Sequence, residues 1–316
     1  MSRKRLRILT WHVHGNYLYY LSHAPHDFYV VTKPGNPPGY AGCGGSLPWG
    51  ANIHELPYAQ VSRTKLDCIL YQHQRHYLED REFVLSSAQR ALPAIFLEHD
   101  PPQQHPTNTL HPVQNPAILL VHVTPFNALM WDNGVTPHCV IEHGVVEPAK
   151  VPQQGTLARG ICAVNHLARR GRRLGADIFE TVRRQVPLDL VGMGAQEMDG
   201  LGEIPNPELP AFMARYRFFF NPIRYTSLGL AVIEAMMVGL PVVALATTEV
   251  ALLIASGRNG YADTRIPLLV EAMRRLLDDP GLAREWGEQA RRDALARFSI
   301  GRFAHDWDRV LRLVAV

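Results

Sequence analysis

The stretch Thr226-Ser-Leu-Gly-Leu-Ala-Val-Ile-Glu-Ala-Met-Met-Val-Gly-Leu-Pro-Val-Val-Ala-Leu245 is the most apolar segment of the chain, and it decides the fold class. From Leu228 to its end, the only charged side chain is Glu234. Its first two residues suit a helix N-cap, and its Gly-Leu-Pro segment suits a helix end. We therefore predict a buried helix over Ser227–Gly239 and a buried strand over Pro241–Leu245. A membrane span is disfavoured, because the carboxylate and the proline would interrupt it.

The same alternation of strand and helix surrounds this segment. Before it in the second half come Gly160–Val164, a basic amphipathic stretch to about Gln185, Leu188–Val191, a helix Glu208–Tyr216 and a strand Arg217–Asn221. The first half offers strands Leu6–Trp11, Phe28–Thr32, Asp67–Tyr71, Ala94–Leu97, Ile118–Val123 and Cys139–Glu142, with a helix over Gln74–Leu92. Apolar strands that alternate with helices of this length indicate βαβ units and parallel sheets covered on both faces.

The chain has 316 residues, which is the length of two domains of ordinary size. We predict an N-terminal Rossmann-like domain over 1–150 and a C-terminal one over 151–300, joined by a linker within Glu147–Gly155. The last helix, about 301–316, is expected to pack back on the first domain. Two long loops, Lys33–Leu56 and His99–Asn115, are rich in Gly, Pro, Gln and His, and loops of this length tend to be functional.

Composition excludes several classes of protein. The formal net charge is only +3, and no basic run is interleaved with aromatic residues, so nucleic-acid binding is not expected. The four cysteines are scattered without metal-like spacing, and no signal peptide is recognisable, which favours a reducing cytoplasm. The basic start Ser2–Arg7 reads either as a solvated tail, which we favour, or as a weak peripheral contact to anionic lipid.

Glu234 and the start of its helix are the first candidates for chemistry. The predicted helix follows a strand, and the amides of a helix N-terminus favour an anion such as phosphate. A carboxylate in an apolar helix needs a partner, because burying an unpaired charge is costly. That partner is either a structural one, such as an arginine or a backbone donor, or a bound ligand with two hydroxyls, such as a ribose.

The segment Gly229-Leu-Ala-Val-Ile-Glu234-Ala-Met-Met-Val-Gly239-Leu-Pro241-Val-Val-Ala244 resembles the donor-site signature of family 4 retaining glycosyltransferases. The order of other segments agrees with this family: Val140–Gly144, Asp189–Gly194 and Gly202-Glu-Ile. The resemblance implies an α/β protein with the GT-B fold, in which two Rossmann-like domains face each other across a cleft. It is strongest over about Gly160–Ala246.

The resemblance assigns donor-binding roles in the second domain. It implies that Glu234 holds the nucleotide ribose, and that Ser227, Leu228 and Gly229 offer backbone amides to the donor sugar and phosphates. The first carboxylate of the family's glutamate pair falls at Thr226, which is a departure from the pattern. This departure implies either a donor sugar whose hydroxyls suit a threonine or weakened catalysis.

The family also places an arginine and a lysine after the first strand of the second domain, where they neutralise the diphosphate. Here these positions fall at Asn165 and Arg170, so the first cation is missing. Arg169, Arg172 or Arg173 could take its place, since a basic cluster just after a strand end is what a diphosphate needs.

In the first domain the resemblance points to residues that follow strands. Gly15 resembles the glycine loop between donor and acceptor, and His99 resembles the histidine that contacts the transferred sugar, with Asp100 as its orienting partner. His73 is a weaker candidate. His12 and His14 form a metal-like pair, but no further ligands are spaced to join them, so no metal is expected.

The function implied is transfer of a sugar from a UDP- or GDP-linked donor to an acceptor hydroxyl with retention of configuration and without a cofactor. The acceptor is a glycan, a lipid-linked molecule or a small molecule. Two alternatives remain: a GT-B sugar-nucleotide epimerase and a non-catalytic nucleotide-sugar binder, to which Thr226 and Asn165 give weight. A dinucleotide oxidoreductase is disfavoured, because no GxGxxG motif opens a helix after an early strand.

Overall fold

The computed structural model describes residues 4–13, 15–44, 47–148 and 153–315. The chain forms two compact units. Unit 1 comprises Met1–Gly144 together with Ile300–Val316, and unit 2 comprises Val145–Ser299. Part of the sequence-predicted linker and of the basic start, as well as His14, lies outside the described residues.

Unit 1 is built on a parallel sheet. Within the described residues it has seven strands in the order β3-β2-β1-β4-β5-β6-β7. They are β1 (Arg7–Thr10), β2 (Asp27–Thr32), β3 (Ile53–Pro57), β4 (Cys68–Tyr71), β5 (Ala94–Glu98), β6 (Ile118–His122) and β7 (His138–Val140). The inner strand β4 is buried at every position, as expected for a parallel strand covered on both faces.

Apart from the last one, the helices of unit 1 are short. They are α1 (Gly15–Leu21), α2 (Tyr58–Val61), a π-helical turn (His76–Asp80), α3 (Arg81–Val84), α4 (Ser87–Arg90), α5 (Pro125–Met130) and α13 (Ile300–Val314). The capping box of α4 is complete, with Ser86 accepting from the Gln89 amide and Gln89 accepting from the Ser86 amide.

Unit 2 contains the second parallel sheet. The part of unit 2 that is described has five strands in the order β12-β11-β10-β8-β9. They are β8 (Gly160–Ala163), β9 (Leu188–Val191), β10 (Phe218–Asn221), β11 (Val242–Leu245) and β12 (Gly260–Asp263). Its helices are α6 (Leu167–Leu174), α7 (Ala176–Arg183), a 3-10 turn (Ala195–Met198), α8 (Leu209–Met213), α9 (Leu230–Met237), α10 (Val250–Leu253), α11 (Ile266–Asp278) and α12 (Pro280–Arg297). The predicted pair of Rossmann-like α/β folds is confirmed.

Helix α13 joins the end of the chain to unit 1. Its apolar face buries Phe303, Trp307 and Leu311 completely. The Trp307 Nε1–H donates to the Tyr17 hydroxyl of α1 at 3.3 Å. A Cβ at Gly144 would lie 2.1 Å from the Cβ of Phe303, so only glycine fits at the point where the chain passes this helix.

Three predicted elements differ from the structure. The helix expected over Gln74–Leu92 is broken into the π-helical turn, α3 and α4, because Leu85 takes an extended conformation. The loop Lys33–Leu56 is not structureless: it contains most of β3, which pairs with β2. The strand expected at Cys139–Glu142 begins earlier, at His138, and ends at Val140.

The helix over Ser227–Gly239 was predicted too long at its start. Helix α9 begins at Leu230, and its N-cap is Gly229, whose φ of −69° and ψ of 133° are extended. Thr226 and Ser227 are therefore not caps, and they lie ahead of the helix in a segment without regular secondary structure. Glu234 consequently sits in the second turn of α9, closer to the helix start than expected.

Unit 1 contains two buried histidines that are expected to lower its stability as the pH is lowered. Burial lowers the pKa of His76 and of His122 to about 4, below the value of 6.5 in an unfolded chain. The unfolded chain therefore binds protons first. Stability is fully present above about pH 6.5 and is lost as the pH falls towards 4, by at most about 3 kcal/mol per histidine.

Urea denaturation at a series of pH values measures this loss. Replacing His122 with glutamine is expected to flatten the dependence of the free energy of unfolding on pH, whereas the same change at the exposed His105 is expected to have a smaller effect. An equal dependence in all three proteins would contradict the assignment.

Candidate functional site

The carboxyl ends of β8 and β9 are joined through Asn165. Its side-chain Oδ1 accepts from the Met193 amide at 2.9 Å. Gly192 has a φ of 127°, and a Cβ there would lie 2.8 Å from this Oδ1, so the glycine turn after β9 allows the close approach. Asn165 thus shapes the turn, which is a structural role that a phosphate-binding arginine would not have.

The basic segment Arg169–Arg173 lies in α6, which is broken at Gly171 (φ 57°, ψ −141°). Arg172 is 77% exposed and pairs with Asp177 at 2.6 Å. Arg169 is exposed and Arg170 is half-buried. Arg170 also makes an interaction within the protein. The structure therefore brings several cations to the region after β8, as the sequence predicts.

Arg224, which the sequence analysis missed, fixes the segment between β10 and α9. Its guanidinium donates to both carboxylate oxygens of Asp177 at 2.6 and 2.8 Å, and to the Arg172 carbonyl at 2.6 Å. Its backbone amide donates to the Arg173 carbonyl at 3.0 Å. Hydrogen bonding from Arg224 is the main cause that lowers the pKa of the Asp177 carboxyl. The Arg224–Asp177 pair, called the clamp below, therefore holds the segment that leads to Thr226 against the end of the basic helix α6.

Replacing Arg224 with lysine is expected to destabilise unit 2 by about 1 kcal/mol, because one ammonium group cannot replace the fork that binds Asp177 and a carbonyl together. The pKa of Asp177 should rise towards its ordinary value, which carbon-detected NMR titration measures. The matched change Arg172→Lys, at a more exposed partner of the same carboxylate, is expected to have a smaller effect on both quantities. Equal effects of the two changes would refute the clamp.

The segment Thr226–Gly229 leads directly into α9. Thr226 is half-buried, whereas Ser227 and Leu228 are 7% and 2% exposed. Among the described residues no side chain caps α9, so no side-chain oxygen there accepts from the amides of its first turn. A Cβ at Gly229 would meet no heavy atom of the described residues within 4 Å. Open space therefore borders the helix start, where an anion would be stabilised.

Glu234 is 6% exposed, in agreement with its predicted burial. It makes an interaction within the protein, so a ribose would be a further partner of this residue rather than its first. Neighbouring Ile233, Ala235 and Met236 are fully buried. The carboxylate therefore lies in an environment where hydrogen bonds to charged groups are strong.

In unit 1, the carboxyl ends of β1, β4 and β5 meet at Gln72. The His99 ring, 9% exposed, has its Nε2 3.1 Å from the Gln72 Oε1. The Tyr17 ring stands edge-on to the imidazole, with ring centroids 4.7 Å apart. The Nε2 of the ring is therefore held by Gln72, whose amide side chain gave no signal in the sequence. The orienting role expected for Asp100 stays a prediction.

Asp100 is itself fixed through its backbone. Its amide donates to Glu98 Oε1 at 3.0 Å, and its carbonyl accepts from the Trp131 indole at 2.8 Å. The other Glu98 oxygen lies 3.1 Å from Nε2 of the fully buried His111. These bonds anchor both ends of the loop His99–Asn115 to the edge of the sheet.

The remaining candidates of unit 1 lie near the end of β1. Gly15 is the first residue of α1. His12 Nδ1 lies 2.5 Å from the Gly42 carbonyl, which ties the loop Lys33–Leu56 to this strand end. His73 is exposed and accepts the Arg75 amide at 3.2 Å. No group of three or more His, Cys, Asp or Glu side chains among the described residues could hold a metal ion.

Within the described residues, the helices are either too short or too polar to cross a lipid bilayer. Residues 161–279 match the protein family described as "Glycosyl transferases group 1". This match covers β8 to the end of α11, and it includes most of the segment Gly160–Ala246, where the sequence resemblance is strongest. No curated protein matches the chain.

Solved structures of similar fold span nearly the whole chain. Sucrose-phosphate synthase from Thermosynechococcus elongatus superposes with a TM-score of 0.71 and 16% identity, covering 98% of this chain and 99% of that one. HepE from Anabaena, in complex with UDP and glucose, has a TM-score of 0.67 and 14% identity, with 98% and 100% coverage. A glycosyltransferase from Rickettsia africae has a TM-score of 0.67 and 12% identity, with 98% and 99% coverage. The GT-B fold is confirmed.

Proposed function

We propose that the chain transfers a sugar from a nucleoside-diphosphate sugar to an acceptor hydroxyl with retention of configuration. The match of residues 161–279 to the group 1 glycosyltransferases and the GT-B fold support this proposal. The observation that carries the proposal is the edge of the unit 2 sheet. There the uncapped start of α9, the open space at Gly229 and the arginines of α6 follow neighbouring strands.

The proposed donor contacts are those that the family resemblance implies. Amides of Ser227, Leu228 and Gly229 bind the donor sugar and the phosphates, and arginines of the α6 segment, Arg170 first among them, neutralise the diphosphate. Glu234 binds the ribose hydroxyls. UDP is the first candidate for the nucleotide, since HepE was solved with UDP.

Catalysis on this proposal is electrostatic. As the bond between the anomeric carbon and the diphosphate breaks, negative charge grows on the phosphate and the sugar becomes oxocarbenium-like. Arginines and helix amides that are already in place stabilise that charge without a metal. The acceptor oxygen attacks from the face that the diphosphate leaves, which gives retention without a protein nucleophile.

Unit 1 supplies the sugar-contacting histidine and the acceptor surface on this proposal. His99 contacts the transferred sugar, and Gly15 lies beside donor and acceptor. The loops Lys33–Leu56 and His99–Asn115 shape the acceptor site, since each is tied to a strand end at this edge of the sheet. Acceptors with hydroxyl groups, such as glycans and lipid-linked sugars, are the candidates.

A second candidate function is non-catalytic binding of a nucleotide sugar. Two observations favour it: Thr226 stands where the family has a carboxylate, and Asn165 is occupied with the Met193 amide where the family has an arginine. On the family pattern Thr226 would contact the transferred sugar and Asn165 the diphosphate, so the loss of charge at these positions removes groups that would stabilise the transition state.

Two experiments test the function in sequence. Thermal-shift measurements with UDP, GDP, CMP and dTDP sugars identify the nucleotide, since a bound ligand stabilises by an amount set by its concentration over its Kd. The best donor is then incubated with a panel of acceptors, and NMR of the product reads the anomeric configuration. We expect transfer with retention. Binding without turnover would favour the second candidate, and a new sugar nucleotide formed without acceptor would identify an epimerase.

A further inference from the structure

The Gln72 side chain connects three strand ends of unit 1. It follows β4 directly and is 3% exposed. Its Nε2 lies 2.8 Å from the Thr10 Oγ1 at the end of β1 and 2.9 Å from the Trp11 carbonyl oxygen. Its Oε1 lies 3.1 Å from the Nε2 of His99, which follows β5.

These contacts determine the orientation of the Gln72 amide. The Trp11 carbonyl can only accept a hydrogen bond, so the NH2 group of Gln72 must face it. The opposite orientation would place two oxygen acceptors against each other inside the protein, which costs the desolvation of both groups. The Gln72 Oε1 therefore faces His99.

The orientation of Gln72 in turn determines the tautomer of His99. An amide oxygen only accepts, so the His99 Nε2 must carry the hydrogen that it donates. In the neutral ring, Nδ1 then holds the lone pair. The ring is held further by Tyr17, which meets it edge-on, and the His99 carbonyl accepts from the Asn127 side chain at 3.1 Å. Rotation of the imidazole would break the bond to Gln72.

We propose that Gln72 is a positioning residue that holds the His99 imidazole in one orientation and in the tautomer protonated at Nε2 during sugar transfer. This assignment rests on the proposed function, from which the sugar contact of His99 comes. Gln72 itself touches no substrate. It affects sugar transfer through the tautomer of His99. In the wrong tautomer, a ring nitrogen of His99 would present a hydrogen-bond donor to the sugar where an acceptor is needed, or the reverse.

A purely structural role for Gln72 is the competing explanation, since its bonds to Thr10 and Trp11 also tie β1 to β4. Two substitutions separate the roles. Gln72→Met keeps an unbranched side chain of similar length but removes all three hydrogen bonds. Thr10→Val removes one of the bonds between β1 and Gln72 while the contacts with Trp11 and His99 remain.

The tautomer of His99 is measured by long-range 1H–15N correlation NMR on the full chain, with the His99 signal assigned by comparison with a His99→Gln variant. We expect the wild type and Thr10→Val to show a single form protonated at Nε2, and Gln72→Met to show a mixture of the two forms. If Gln72→Met fails to fold, Gln72→Leu takes its place. Its side chain also lacks an acceptor, so the same mixture of the two forms is expected.

Turnover of the donor found by the thermal-shift screen gives the second readout. We expect Gln72→Met to lower kcat by about tenfold or more, equivalent to about 1.4 kcal/mol of transition-state stabilisation, with the thermal shift by the free nucleotide unchanged. Thr10→Val should stay within about twofold of wild type. Equal losses of kcat in both variants would overturn the proposal in favour of a structural role.

The two readouts separate failure of this proposal from failure of the proposed function. A wild-type His99 protonated at Nδ1, or an unchanged single tautomer in Gln72→Met, would overturn the positioning role whether or not the protein transfers sugar. Absence of transfer by the wild type with the expected tautomers would instead overturn the proposed function, and with it the catalytic purpose of the bond.

Discussion

Replacing Glu234 with glutamine is expected to weaken binding of the preferred nucleotide roughly 10- to 100-fold, because a hydrogen bond to a charged group contributes about 1.5–3 kcal/mol. Glutamine keeps the length of the side chain but loses the charge and one of its acceptors. The residue is 6% exposed, so the bonds that it would make to a ribose are shielded from water. The stabilisation of the protein by nucleotide in a thermal-shift assay measures the change.

The control is a carboxylate of the same unit that already has structural partners. Asp189 pairs with Arg159 at 2.6 Å and accepts from the Tyr216 hydroxyl at 2.8 Å, and it lies near the start of β9, away from its carboxyl end. Asp189→Asn is expected to lower the melting temperature while the response to nucleotide persists. A full nucleotide response in folded Glu234→Gln would refute the ribose assignment and leave Glu234 a structural role.

Replacing Trp307 with alanine is expected to destabilise unit 1 by about 3–5 kcal/mol, which is the usual cost of removing a large buried aromatic side chain. Trp307 is fully buried, and its indole donates to the Tyr17 hydroxyl. Tyr17 also meets the rings of His99 and His143 edge-on. The cavity that the alanine leaves would therefore border a tyrosine that packs against both histidines. Chemical denaturation followed by fluorescence of the other tryptophans measures the loss.

Two substitutions in the same helix bracket this effect. Trp307→Phe keeps most of the volume and loses the hydrogen bond, so a smaller loss is expected. Leu313→Ala removes a side chain that is 75% exposed and should change the free energy of unfolding by no more than about 0.5 kcal/mol. Equal stability of Trp307→Ala and Leu313→Ala would show that helix α13 does not contribute to the core of unit 1.

The pattern of apolar runs predicted the fold well because parallel strands are buried on both faces. Strands such as β4, β10 and β11 are buried at every residue, so each one reads as a short continuous apolar run. The edge strand β3 was missed, because Ile53–Pro57 is partly exposed and includes a histidine and a glutamate. The helix over Gln74–Leu92 was predicted as one piece, since the extended residue within it has no glycine or proline beside it.

Of the candidate site, the sequence predicted the residues that belong to a local motif but not those that act through distant partners. A long local motif placed Glu234 and Gly229, whose burial and surroundings follow from their own helix. Gln72 and Arg224 were not predicted as site residues, because an isolated glutamine or arginine belongs to no periodic pattern or local motif. Their partners His99 and Asp177 are 27 and 47 residues away in sequence.

By itself, the sequence determined the two parallel α/β sheets, the burial of Glu234 and the departure at Thr226, since apolar periodicity and a local motif depend only on neighbouring residues. Tertiary structure alone decided which groups hold the candidate residues. Gln72 holds the Nε2 of His99, and Arg224 fixes the segment that leads to Thr226 through its bonds to Asp177. The physical reason is that a hydrogen bond is specific to distance and angle, and only the folded sheet brings the ends of distant strands within that range.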